Sequence, residues 1–395
     1  MVGGEILWEV GIQEVKNTHK RFGPECLKQV RETLDKWLTQ ESLAPKQRAA
    51  AGVARAWLED LPVGVGIIET APKRPDFLWC GAKGEVSAGE GNPLRKAFPK
   101  LPGFKLGEPK GRQHRAWGSF TQFDCTRITK PFFISRYPVT VAQYQLFVEA
   151  GGYEREDDFW TGAGREWRQG RAGDSAVPDW LRDEYRKEEF PITRPKDYGP
   201  VFQTPNHPRV GVCWFEALAF CRWLNSPGIR NHLTRDSGLP EDCAVQIRLP
   251  SEAEWELAAR WNKDKGAPDD RLYPWPDEKA DIDLNERCNW DGTKIGNTSA
   301  VGLFPKGNAD CGAADLAGNV WEWCQTKWVD RDDKDAPKRF NSGVYDADDG
   351  EETRVLRGGS WIYGDPALLR AASRNFDRPG YRRNDGGFRV VVVCG

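Results

Sequence analysis

The sequence predicts an α+β fold, loop-rich, with a small mixed β core and a helical segment at its N-terminus. Three observations carry that prediction. The 395 residues include 18 tryptophans, 41 glycines and 27 prolines, which suits an aromatic core under many turns rather than long helices. Twice a short apolar run leads into a capped, helix-periodic stretch, in "PFFISRYPVTVAQYQLFVEAGG" and in "IRLPSEAEWELAAR". Near its end the chain reads "GFRVVVVC", a β-branched run expected to form a buried strand.

Taken in order, Val15, Phe22, Cys26, Val30, Leu34 and Leu38 fall on one helical stripe, broken at Gly23-Pro24. A second helical block runs through "SLAPKQRAAAGVARAWLEDLP", with Ser42 as its expected N-cap and Pro62 as its stop. Residues 64–115 are rich in Gly, Pro and Lys and predict irregular loops and short strands. Residues 1–115 are therefore read as an N-terminal helical and irregular segment, and 116–395 as the main domain. There a strand ends near Pro138, and a helix capped by Thr140 turns Tyr144, Phe147 and Val148 inward. "DDFWTGAGREWRQGRAGDSAVPDWLRDEYRKEEFPITRPKDYG" is a polar, Trp- and Gly-rich excursion. The helix in "VGVCWFEALAFCRWLN" buries Trp214, Ala217, Leu218, Cys221 and Leu224. Ser251 and Glu254 form an S-x-x-E capping box, so Glu252 and Glu254 read as scaffold carboxylates rather than a catalytic pair.

Composition excludes several classes. With 57 basic and 59 acidic residues, net charge −2, no global field attracts nucleic acid or an anionic membrane. No apolar run approaches the ~20 residues of a membrane span. The first residues, "MVGGEILWEVGIQEVKNTHK", do not resemble a signal peptide, so a cytoplasmic location is expected. Ten cysteines occur without a CxxC pair and are expected as reduced, buried thiols. Four histidines, none spaced i, i+4, argue against an imidazole-based metal site. A single Met with many Arg and Pro points to a thermophilic source.

Six segments, "PFFISRYPVTVAQYQLFVEAGGY", "NHPRVGVCWFEALAFCRWLN", "IRLPSEAEWELAAR", "GNVWEWC", "RVLRGGSW" and "GFRVV", occur in the order found in one superfamily. Over about residues 117–395 the chain resembles the formylglycine-generating enzyme (sulfatase-modifying factor) superfamily. The resemblance implies a C-type lectin-like fold of that subtype. It also implies structural calcium, for which Asn319 and Glu322, with Asn289, are the candidate ligands. Thr293 stands where a further Asp is expected, and the same residues equally suit a hydrogen-bonded turn. The oxidising members of the superfamily bind Cu(I) through two cysteines just after the RGGS motif. The matching positions here are Tyr363 and Leu368, which cannot ligate copper. Another branch holds iron through histidines of N-terminal helices, and those helices supply only His19. The chain is accordingly expected not to be an enzyme, with no cofactor beyond structural calcium.

Between Ile362 and Gly386 there is no Lys, Glu, Gln, Trp or Met. The residue types present are those reachable from an AAY codon by changing its two adenines. Framed by "RGGSW" and "GFRVV", the stretch resembles the variable region of diversity-generating retroelement proteins, here about residues 361–387. That resemblance implies Ile362, Tyr363, Gly364, Asp365, Ala367, Leu368, Ser373, Asn375, Phe376, Asp377, Arg378, Gly380, Tyr381, Arg383, Asn384 and Asp385 as variable, ligand-binding positions. The function expected from it is non-catalytic binding of an unknown protein or other macromolecule. Tyr363, Phe376, Arg378, Tyr381 and Arg383 would be the anchors. The alternatives are an oxidoreductase of the formylglycine-generating type and a non-catalytic sensor domain of that superfamily. Neither nucleic acid nor a membrane span is expected.

Overall fold

In the computed structural model, the β-branched run near the end of the chain becomes a central strand. The structure describes residues 28–394 except 41, 59–60, 87–92, 111–117, 173–175, 178, 187, 237–244, 277–282, 331–332, 344–345 and 347–349. Val15, His19, Phe22, Gly23-Pro24 and Cys26 lie outside the described residues.

Two helices come first, α1 over residues 28–39 and α2 over Pro45–Ala56. Leu34 is buried between them, with Val30 and Leu38 packed beside it, as the stripe predicts. Ser42 is not the cap of α2. Ala44 occupies that position and Pro45 is the first helical residue, where its missing N–H costs nothing. This pair sits on the main domain. Asn206 Nδ2 donates to Gly52 O at 3.0 Å, and a Cβ on Gly52 would lie 2.8 Å from Ala300 Cβ. Arg48 reaches Glu286 at 3.4 Å and lies over the Phe304 ring.

The main sheet has strands β1 (Trp79–Gly81), β2 (Gly84–Val86), β3 (Phe132–Ser135), β4 (Val245–Arg248) and a last strand, Val391–Cys394. A second sheet has β5 (Trp321–Lys327), β6 (Arg354–Arg357), β7 (Arg374–Asp377) and β8 (Gly386–Gly387), which makes Val391–Cys394 strand β9. The order in the first sheet is β2-β1-β3-β9-β4, antiparallel throughout, and in the second β7-β6-β5-β8. All four residues of β9 are buried, because a strand paired on both edges and covered on both faces has no polar side to present. Pairing of β5 with β8 is parallel, Trp321 opposite Gly386, and β5 with β6 antiparallel.

Three helices brace these sheets: α3 (Val141–Glu149), α4 (Gly162–Arg168) and α5 (Trp214–Leu224); a fourth, α6, is Glu252–Arg260. Thr140 and Ser251 cap α3 and α6 through capping boxes, as their sequences predict. Helix α5 is buried on every face, so its amphipathic stripe understates its burial. The architecture is α+β, a five-stranded antiparallel sheet and a four-stranded mixed sheet braced by helices, as the sequence predicts.

Candidate functional site

The loop from Trp361 to Asp385 is held by two buried arginines, one just before it and one within it. Arg357, at the end of β6, gives Nη2 to Glu256 at 2.6 Å and to Ala371 O at 2.7 Å. Arg374, opening β7, pairs with both oxygens of Glu252 and gives Nη1 to Val329 O at 3.0 Å. The carboxylates of "SEAEWE" are thus spent on framework arginines: Glu252 on Arg357 and Arg374, Glu254 on Arg248 and Ser251, Glu256 on Arg357 and Arg260. Fully buried charges persist only when paired in this way.

Inside that frame one polar cluster reaches the surface. Arg383 Nε donates to Asp385 Oδ1 at 2.8 Å and Nη1 to Asp377 Oδ2 at 3.0 Å. Its Nη2 donates to Asp385 Oδ2 at 3.1 Å and to the Tyr363 hydroxyl oxygen at 2.9 Å. Asp385 Oδ2 also accepts from Ser360 Oγ at 2.8 Å, which ties the cluster to the RGGS turn. The Tyr363 ring meets Trp321 edge-on, 6.2 Å between centroids, and the buried Trp321 N–H has no hydrogen-bond partner among the described residues. Burial pushes the Asp377 carboxyl above its ordinary range against the pull of Arg383, and raises the Tyr381 phenol as well. Perturbed groups gathered in a partly open setting make this cluster the candidate functional site.

The remaining positions named from the sequence divide. Asp365 caps the short turn Pro366–Leu369 by accepting from Ala367 N, and Leu368 packs on the main core beside Tyr363 and Tyr381. Gly364 and Asp365 are exposed, and Ile362 is 47 % exposed. Asn384 gives its carbonyl to Trp361 Nε1, and the Arg378 carbonyl accepts from Tyr381 N. Ser373, Gly380 and Asp385, expected on the surface, are buried. Nor do the expected anchors share one surface. Alternation along β7 turns Asn375 and Asp377 to one face and Phe376 to the other. There Phe376 packs at a tilt on Trp328 with centroids 4.6 Å apart, while Asp377 meets Arg383.

The calcium ligand set is also corrected. Glu322 gives both oxygens to Arg389 and accepts from Trp255 Nε1 at 2.7 Å. Asn319 pairs its amide with the backbone of Ser299 in both directions, and Asn289 accepts from Thr293 Oγ1 and donates to Asn297 O. These donors are already satisfied within the protein and do not fit a calcium ion. For Asn289 and Asn319 this is the hydrogen-bonded turn the sequence equally allowed.

Sequence reasoning missed the second wall of the site. The excursion over 160–200 packs directly on the loop: Trp167 Nε1 donates to Gly380 O at 3.1 Å, and Gly380 N to Ala176 O at 2.8 Å. Arg382 pairs with Glu188 and offers its carbonyl to the Tyr198 hydroxyl at 2.6 Å. The density of Trp and Arg in that excursion was the available signal, since such side chains are seldom spent on a free loop.

The comparison with family models assigns the chain to a family. Residues 108–393 match the family described as the sulfatase-modifying factor enzyme 1-like domain. Hercynine oxygenase of Mycobacterium tuberculosis is 32 % identical over 269 residues, covering 66 % of this chain and 52 % of that protein. Formylglycine-generating enzyme of Thermomonospora curvata is 30 % identical over 286 residues, covering 66 % of this chain and 82 % of that enzyme. The chain thus spans about half the length of the hercynine oxygenases it matches. Among solved structures, Treponema denticola variable protein 1 aligns with TM-score 0.41 at 19 % identity, over 74 % of this chain and 92 % of that one. The expectation of a non-catalytic protein is overturned, because the relatives matched at 30–32 % identity are enzymes.

Proposed function

The chain belongs to the sulfatase-modifying factor enzyme 1-like domain family, and from that premise we propose that it takes part in an oxygenase-type reaction as the part that binds the substrate. The substrate class is a small organic cation of the amino-acid betaine kind. The observation that carries this reading is the Arg383 cluster, in which one guanidinium is matched by two carboxylates, Asp377 and Asp385, beside Tyr363 and Tyr381. Carboxylates in excess next to aromatic faces attract an organic cation. The hercynine oxygenase relatives support the reading, because hercynine is the trimethylammonium betaine of histidine.

Arg383 donates to the Tyr363 oxygen, which leaves the phenolic proton free to be given to a substrate atom within reach. Asp377 and Asp385 hold Arg383 in that pose. Tyr363 and Leu368 do not fit copper, and no group of three or more His, Cys, Asp or Glu suited to a metal occurs among the described residues. No redox step is assigned to these residues. Calorimetric titration with hercynine tests the reading. Saturable binding is expected, weakened about tenfold by Asp377→Asn. A wild-type protein that does not bind hercynine contradicts it.

A second reading concerns variation of the loop and a macromolecular ligand. It is favoured by the missing residue types over 362–386 and confined to the exposed Ile362, Gly364, Asp365 and Phe376. A non-coding copy of the 3′ end, differing at adenines beside a reverse-transcriptase gene, is its test. A cytoplasmic setting is proposed with either reading, since the eight described cysteines are buried free thiols. Among the described residues no helix is long and apolar enough to cross a membrane.

A further inference from the structure

The excursion over 160–200 carries a residue that the Arg383 cluster alone does not account for. A 3-10 turn, Asp179–Leu181, stands beside the loop, and Asp179 is tied to Arg182 at 2.6 Å. Between them Trp180 is 69 % exposed, the most exposed large hydrophobic side chain among the described residues. Single exposed apolar residues are ordinary on protein surfaces. This one, however, is held in a defined pose: its ring meets Tyr381 edge-on, with centroids 5.2 Å apart and planes at 85°. The backbone carrying Tyr381 is pinned to the excursion on either side, by Gly380 to Trp167 and Ala176, and by Arg382 to Glu188 and Tyr198. The Tyr381 ring also lies 5.8 Å from the Arg383 guanidinium. A continuous wall therefore runs from Asp377 and Arg383 through Tyr381 to the exposed indole.

We propose that Trp180 is a specificity-determining residue, supplying the outer aromatic face against which the cationic part of the substrate packs. The inference rests on the proposed binding reading and adds the residue that selects for the cation. An indole is the best of the aromatic faces for this purpose. Tyr381, edge-on to it, sets the angle at which that face is presented, so that the cation lies between the indole and the Asp377 carboxylate.

The test uses the intact chain, wild type and the variants Trp180→Ala, Trp180→Phe and Asp377→Asn, titrated with hercynine and with histidine. Histidine lacks the trimethylammonium group and serves as the reference ligand. Trp180→Ala is expected to raise the Kd for hercynine about tenfold and that for histidine by less than about twofold. Trp180→Phe should recover part of the loss, and the melting temperature of all three Trp180 proteins should agree, since the side chain is largely in solvent. An unchanged Kd for hercynine in Trp180→Ala, while Asp377→Asn still weakens binding, overturns the role of Trp180 and leaves the binding reading intact. Equal losses for both ligands, or a large fall in melting temperature, also overturn it. Absence of hercynine binding by the wild type overturns both.

Discussion

Arg389 donates to both oxygens of Glu322, from Nε at 2.6 Å and from Nη2 at 2.7 Å, with both side chains wholly buried. The pair joins the motif "GNVWEW" on β5 to the motif "GFRVV" at the start of β9. Arg389 spends its remaining donors on the carbonyls of Ser135, Arg136 and Ala314. It is the fastener between the two sheets.

Removing one half of that fastener leaves the other charge buried without its partner. Glu322→Gln is expected to destabilise the protein by roughly 3–5 kcal/mol. Chemical denaturation read by tryptophan fluorescence measures it. A chelator added to the wild type is expected to leave the transition in place, because Glu322 is held by Arg389 and Trp255 rather than by an ion.

Gly380 is a close joint between the loop and the excursion. A Cβ there would lie 2.5 Å from Cδ1 and Nε1 of Trp167 and 2.8 Å from Ala176 O. Gly380→Ala is expected to cost about 1–3 kcal/mol, as overpacking does. Hydrogen exchange should quicken in residues 162–171 while α5 and α6 keep their protection. Unchanged exchange there would show that the excursion does not depend on this contact.

His207 sets a pH dependence. It is 1 % exposed, its Nδ1 is 3.0 Å from Thr298 Oγ1, and its Nε2 has no hydrogen-bond partner among the described residues. Burial drives its pKa down from the ordinary 6.5 to about 3. The folded protein therefore takes up the proton less readily than the unfolded chain. The stability His207 contributes is present above pH 6.5 and is lost as pH falls toward 3, by about 1.4 kcal/mol for each unit. His207→Gln removes that slope. Its melting temperature should lie below that of the wild type at pH 7, and the gap should narrow steadily toward pH 4.

The legible part of the fold was its punctuation and its periodicity. The capping boxes at Thr140 and Ser251, the helix from Trp214 and the buried run at Val391 follow from local patterns and appear where those patterns put them. Ser42 failed as a cap because Pro45, two residues past the turn, fixes the helix start more strongly than a hydroxyl can. The site was legible only in part. The sequence points to Tyr363, Tyr381, Asp377, Asp385 and Arg383, yet nothing local tells Phe376 from Asp377. Which of two neighbours faces the cluster is settled by the pairing of β7 with β6, a long-range register. Asp385 and Ser373 read as surface polar residues but are buried by partners and packing far along the chain. The excursion with Trp167, Trp180 and Glu188 was visible as composition and invisible as a wall, because its contacts span about two hundred residues of sequence.

A crystal structure of the intact chain grown with hercynine tests the central claim most directly. The account predicts the trimethylammonium group within about 6 Å of the Tyr381 ring centre, facing the Asp377 carboxylate. Hercynine bound away from the Arg383 cluster, or no bound hercynine at saturating concentration, would contradict it.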